Sequence, residues 1–202
     1  MHTQTPQQLL DQATLIHSAE AVASAISRLG LEITQALATT SPVVICVMGG
    51  GVVFTGQLLT QLHFPLALDY VHASRYQNNI VGLTLAWQAL PKLDLSGRTV
   101  LIVDDILDEG ITLLAIQEKC LALGAVRVLS AVLVEKTLDH AKPIRPISWD
   151  SRCPIATCLG AAWTPTAGGA ICLGSTRSVN AIPRRFRRQA CVRSNILGQS
   201  TL

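Results

Sequence analysis

Val100-Leu-Ile-Val-Asp-Asp-Ile-Leu-Asp-Glu-Gly-Ile-Thr112 is the stretch that decides how this chain folds. Its first four residues are apolar and mostly β-branched, with nothing polar alternating between them. That pattern predicts a strand buried on both faces, as parallel strands are. Three aspartates follow, Asp104, Asp105 and Asp108, then Glu109, Gly110 and Thr112. Leu113 to Leu123 has helical spacing and stops at Gly124. A strand, an acidic turn, a Gly-Thr step and a helix make a ligand site at the carboxyl end of a parallel strand. The segment from Gly110 to Thr112 can aim backbone amides and a hydroxyl at a phosphate on the helix N-terminus. The paired aspartates suit hydroxyls, or a cation bridging to that phosphate, because they would repel the phosphate itself. A sugar phosphate is the simplest ligand that needs both halves.

The surrounding chain supports an α/β reading. Apolar positions three or four apart from Gln7 to Leu37 predict one or two amphipathic helices. Pro42 to Met48 reads as a buried strand, Gly49-Gly-Gly51 as a turn, and Val52 to Leu62 as a helix. Further strands are expected at Leu66 to Val71, Leu83 to Trp87 and Val126 to Val134. Strands alternating with helices predict a mostly parallel sheet with helices on both faces.

Together these segments resemble the type I phosphoribosyltransferases, and among them the hypoxanthine-guanine phosphoribosyltransferases, over residues 10 to 145. The acidic stretch resembles the family's motif for 5-phosphoribosyl-1-pyrophosphate (PRPP). Met48, Gly49, Gly50 and Gly51 resemble its diphosphate loop, with Gly49 where relatives often carry a lysine. Ser74, Arg75 and Tyr76 resemble the start of its mobile lid. The resemblance implies transfer of a phosphoribosyl group from PRPP to N9 of a 6-oxopurine, hypoxanthine or guanine, in purine salvage. Asp104 and Asp105 would hold the ribose hydroxyls, directly or through magnesium. Asp108 would take or share the proton at purine N7. Glu109, Gly110, Ile111 and Thr112 would cradle the 5-phosphate, and Lys142 would contact the 6-oxo group. A homodimer or homotetramer is implied as well.

Charge divides the chain. Residues 1–145 carry nine Lys or Arg against twelve Asp or Glu; residues 146–202 carry seven Arg, no Lys and one acid, Asp150. Four of the six cysteines lie in that second segment. Where the family has Asp-Phe-Val-Gly and then Val-Pro-Asp-Arg-Tyr-Val-Phe-Gly, this chain reads Pro146-Ile-Ser-Trp-Asp-Ser-Arg-Cys-Pro-Ile-Ala-Thr-Cys-Leu-Gly160. Degenerate codons for those residues, read two nucleotides later, permit the family's motifs. Trp149-Asp150 forces a glycine there, and Trp163-Thr164 forces an aspartate. The expectation is therefore a phosphoribosyltransferase domain over 1–145, and an irregular, out-of-frame tail over 146–202 that removes the purine wall. On that view Arg184-Arg185-Phe186-Arg187-Arg188 and the tail cysteines are accidents.

The rival reading is a phosphoribosyltransferase-like regulator that uses the basic tail on RNA; a preference for xanthine is a third. Nucleic acid is the less expected partner. No apolar run is long enough to span a bilayer and the N-terminus has no leader pattern, so a cytoplasmic enzyme is expected. His63, His72 and His140 show no metal spacing, and Cys46 and Cys120 read as inert apolar residues.

Overall fold

The computed structural model describes residues 13–75, 85–146, 148–153, 158–159, 170–173 and 191–192. They fall in two compact units, 23–152 and 1–22 with 153–202. In chain order the elements are β1 (Ala13–His17), α1 (Ala19–Leu37), β2 (Val43–Val47), α2 (Gly51–Leu59), β3 (Ala67–Arg75), β4 (Leu85–Ala89) and β5 (Thr99–Leu107). Then come α3 (Ile111–Ala122), β6 (Arg127–Lys136), β7 (Ser148–Cys153), β8 (Cys158–Leu159), β9 (Ala170–Leu173) and β10 (Cys191–Val192).

The larger unit is built on a six-stranded sheet of order β4-β3-β2-β5-β6-β7. β3, β2, β5 and β6 run parallel, and β4 pairs antiparallel with β3. The apolar runs are buried on both faces as their lack of alternation predicts: Val43, Val44 and Ile45, and Val100 to Val103, are all 0% exposed. Val43, Ile45, Val100 and Ile102 share a core with Leu113, Ile116 and Cys120 of α3. Val44, Cys46, Leu101 and Val103 face the other way and are buried too, and α2 packs on β2 and β5. α1 buries Val22, Ile26, Leu29, Ile33 and Leu37, one stripe at helical spacing. The mostly parallel sheet with helices on both faces is therefore what forms.

Two expectations change. The helical reading of 7–37 runs too far toward the N-terminus, because Ala13–His17 is a strand, paired antiparallel with β9. Ser18 resets the chain: its hydroxyl accepts the amide of Ala21, an N-cap that starts α1 at Ala19. The segment 146–202, expected to be irregular, contributes β7 to the edge of the large sheet beside β6. In the smaller unit β9 pairs parallel with β10 and antiparallel with β8 as well as with β1.

Candidate active site

β2 and β5 are neighbours in the sheet and parallel, so their carboxyl ends deliver two loops to one place. After β2 comes the glycine turn. The Met48–Gly49 peptide is cis, and the Met48 amide donates to the Val71 carbonyl at 2.8 Å. Gly50 and Gly51 then run against the end of β5. A Cβ on Gly50 would lie 2.6 Å from both carboxylate oxygens of Asp105, and one on Gly51 would lie 2.9 Å from the Val103 carbonyl. Glycine is needed here for close approach. The turn leads straight into α2, whose N-cap is Gly50.

After β5 comes the acidic loop. Asp104 Oδ1 accepts the amide of Asp105 at 3.0 Å. Burial pushes the Asp104 carboxyl well above the ordinary carboxylate range, and the neighbouring Asp105 adds to it. Burial raises Asp105 too, against hydrogen bonds that favour its charged form. Gly110 turns the chain with φ of 81°, a left-handed conformation that an L side chain resists. Its carbonyl accepts the Leu114 amide and opens α3, so the amides of Gly110 and Ile111 stand at a helix amino end beside Thr112. The structure thus brings together Met48, Gly49, Gly50 and Gly51 with Asp104 and Asp105, and places Asp108, Glu109, Gly110, Ile111 and Thr112 on one continuous turn.

The sequence reading missed Lys136. It is the last residue of β6, the parallel neighbour of β5, and its ammonium lies 2.8 Å from Asp108 Oδ1. The signal was available: a lysine directly after a buried parallel strand arrives at the same sheet edge as the aspartates. Lys142 sits differently from what the resemblance implied. Its side chain is 7% exposed, and its ammonium donates to the carbonyls of Leu107 (2.9 Å) and Lys136, with Glu135 Oε1 at 3.4 Å. Main-chain groups, and not open space, occupy its donors.

His140, read as an ordinary histidine, reaches back to the same loop. Its Nε2 lies 3.0 Å from Glu109 Oε2 and its Nδ1 3.2 Å from Asp139 Oδ1. Hydrogen bonding to Glu109, then to Asp139, holds the imidazole above its ordinary value of 6.5. Cys46 and Cys120 are buried free thiols, and burial pushes Cys120 up to about 11. Ser74 and Arg75 end β3, in register with Ala86 and Leu85; Tyr76 lies outside the described residues. Among the described residues no cluster of three His, Cys, Asp or Glu is placed to hold a metal by itself, and no helix is long and apolar enough to cross a membrane.

Known proteins are similar to this chain in sequence and in fold. The chain is 33% identical over 111 residues to the hypoxanthine-guanine-xanthine phosphoribosyltransferase of Tritrichomonas foetus, covering 55% of this chain and 60% of that one. It is 31% identical over 105 residues to the hypoxanthine-guanine phosphoribosyltransferase of Bacillus subtilis, covering 51% and 58%. The chain thus spans under two thirds of the length of these two curated relatives. Its fold matches the crystal structure of a hypoxanthine phosphoribosyltransferase from Staphylococcus aureus with a TM-score of 0.72 at 17% identity, over 86% of this chain and 96% of that one. Residues 12–163 match the phosphoribosyl transferase domain. With a buried β5, a Gly110 helix start and a glycine turn laid against paired aspartates, the chain belongs to the phosphoribosyl transferase domain family.

Proposed function

We propose that this protein transfers the 5-phosphoribosyl group of PRPP to N9 of a 6-oxopurine, giving IMP or GMP and diphosphate. The observation that carries this reading is the Asp108–Lys136 pair, 2.8 Å apart, on the loop that runs into the Gly110 helix start. A 6-oxopurine with its proton on N7 presents a donor and an acceptor side by side, N7–H and O6. A carboxylate beside an ammonium is the complementary pair. An adenine offers an amino group at that second position, which an ammonium cannot bond. Lys136 takes the 6-oxo contact in this reading, in place of Lys142.

The chemistry follows from the placement. As the bond from ribose C1 to diphosphate breaks, its electron pair leaves with the diphosphate, and the N9 lone pair forms the new bond to C1. Asp108 accepts the N7 proton that the purine then loses. Amides of Gly110 and Ile111 and the Thr112 hydroxyl bind the 5-phosphate, with Glu109 drawn aside by His140. Glycine amides of the 48–51 turn hold the departing diphosphate. Asp104 and Asp105 bind the ribose hydroxyls. Two neighbouring carboxylates suit magnesium carried in by PRPP, since that ion binds through one or two carboxylates plus substrate oxygens. Magnesium would supply charge neutralisation on the diphosphate. Ser74, Arg75 and Tyr76 begin the lid. A cytoplasmic homodimer or homotetramer goes with the same reading.

The domain limits 1–145 and 146–202 belong to it too. The tail is out-of-frame translation of a gene one nucleotide short near codons 145 and 146, and the chain's activity is reduced for want of the purine wall. Sequencing independently prepared DNA across those codons tests this: an additional nucleotide that restores Asp-Phe-Val-Gly supports it, and the unaltered frame sinks it.

Activity is tested on the full chain with PRPP, magnesium and hypoxanthine, guanine, xanthine or adenine, following diphosphate. We expect release with 6-oxopurines, and a loss of about tenfold to hundredfold in kcat/KM for hypoxanthine in Lys136→Met, the worth of one charge-assisted hydrogen bond. Absence of purine-dependent release, with salt-sensitive RNA binding instead, would favour the regulator reading.

A further inference from the structure

Lys142 has a placement that neither strand pairing nor substrate binding requires. Leu107 and Glu135 form the final paired positions of the β5–β6 ladder. Beyond them the strands part, and carbonyls at a ladder's end lose their strand partners. Two of these, on Leu107 and Lys136, accept hydrogen bonds from the one ammonium of Lys142. That ammonium is almost fully buried and lies near Glu135, so its charge is compensated where it sits. The residues after it lock the arrangement. Ile144 is 7% exposed and belongs to the core with Leu107 and Leu113. Pro143 and Ile144 together press on Gly110, whose Cβ position lies 3.1 Å from Ile144 Cγ2 and 3.4 Å from Pro143 Cδ.

The two bonded carbonyls are informative. Leu107 immediately precedes Asp108, and Lys136 is Asp108's own partner. We propose that Lys142 is a positioning residue: by tying the main chain at 107 to the main chain at 136 it sets the spacing of the Asp108–Lys136 pair. This rests on the reading above, in which that pair meets the purine edge. Lys142 touches no substrate. It acts through two backbone carbonyls, so a displacement there is transmitted to a carboxylate and an ammonium whose useful geometry is narrow.

The experiment compares Lys142→Met, Lys142→Arg, Lys136→Met and the Lys136→Met/Lys142→Met double variant in the full chain. Each is measured for kcat and for KM toward hypoxanthine, adenine and PRPP. Lys142→Met is expected to lose about tenfold to hundredfold in kcat/KM for hypoxanthine, with the KM for PRPP within about twofold. Lys142→Arg should recover most of the loss, since a cavity of about 270 Å³ beside Lys142 has room for the larger head. In the double variant the second substitution should cost little, because the pair it positions is already gone. Additive losses would overturn the positioning role. So would a Lys142→Met enzyme that trades hypoxanthine for adenine, which is the mark of direct contact. The Lys142 ammonium can also be read in the wild type without turnover, by hydrogen exchange in ¹⁵N-lysine NMR. Slow exchange is expected of a group bonded to two carbonyls, and rapid exchange overturns the proposal even if a variant does not fold. A wild type that turns over no purine counts against the proposed function. An active wild type with an indifferent Lys142→Met counts against Lys142 alone.

Discussion

The two loops that meet at the end of the sheet are built in opposite ways. The 48–51 turn carries no charge and is placed by missing atoms: Gly50 and Gly51 lie where a methyl group would meet the Asp105 carboxylate or the Val103 carbonyl. The 104–112 turn carries four carboxylates, and each has a hydrogen-bonding or charged partner, for Asp105 hydrogen bonds within the turn itself. Asp104 has the Asp105 amide, Asp108 has Lys136, and Glu109 has His140. The first loop should therefore respond to substitution as a steric switch, and the second in graded fashion, through pH, salt and charge.

The largest effect should come from Gly50→Ala. Its methyl group would stand 2.6 Å from both oxygens of Asp105, so either the turn or the carboxylate must move. Overpacking of this kind costs about 1–3 kcal/mol, or about 2–4 °C in Tm per kcal/mol for a chain of this size. Either movement breaks the close fit of the turn to the Asp105 carboxylate, so activity should fall by at least about a hundredfold. Thermal unfolding and initial rates separate the two responses. A variant that keeps the wild-type rate would show that the carboxylate tolerates displacement, and the contrast between the loops would fail.

The acidic loop should give the opposite sign in stability. Burial raises the Asp104 carboxyl, with Asp105 close by, so the folded chain holds that proton more tightly than the unfolded chain does. A raised carboxyl costs stability as pH climbs from the ordinary carboxylate range through the raised value, and the cost persists at neutral pH. Asp104→Asn removes the charge and keeps an oxygen for the Asp105 amide. The ligand-free variant should melt higher than wild type at pH 7. That advantage should vanish below about pH 4, where both states of the wild type are protonated, and activity should be lost throughout. An equal or lower Tm at pH 7 would mean that burial puts no such cost on the Asp104 charge.

These differences also explain what could be read from residues alone. Local signals were sufficient for β2, β5 and α3, because an unbroken apolar run followed by carboxylates, Gly110 and a helical period lies within about twenty residues. The glycine turn was legible for the same reason. Pairing across the connector was not: Lys136 reaches Asp108, and His140 reaches Glu109, across 28 and 31 positions of sequence. No periodicity records such a distance. The Lys142 assignment rested on a short loose match, Ala141-Lys-Pro143, which carries no sign that the preceding lysine, at the end of β6, is the one paired with Asp108. β1 was hidden by apolar spacing that suits a helix as well as a strand, until the Ser18 cap broke it.

The smallest effect belongs to the most exposed pair. The two His140 ring nitrogens face Glu109 and Asp139, and both can donate only when the ring is protonated. Hydrogen bonding to Glu109 first, and to Asp139 second, raises the imidazole above 6.5. A raised histidine contributes its stability fully below the unfolded value, and loses it as pH rises through the folded one. The link between the connector and the Gly110 turn therefore weakens as pH rises through that raised value, and salt should weaken it further, because the pair is in contact with water. An NMR titration of His140 should show a midpoint above the ordinary histidine value. Glu109→Gln should lower it, Asp139→Asn should lower it less, and added salt should narrow all three differences. A midpoint indifferent to Glu109→Gln would leave the Glu109 carboxylate uncompensated beside the Gly110 helix start. In that case the charge-balanced half of the comparison would reduce to Asp104 and Asp108.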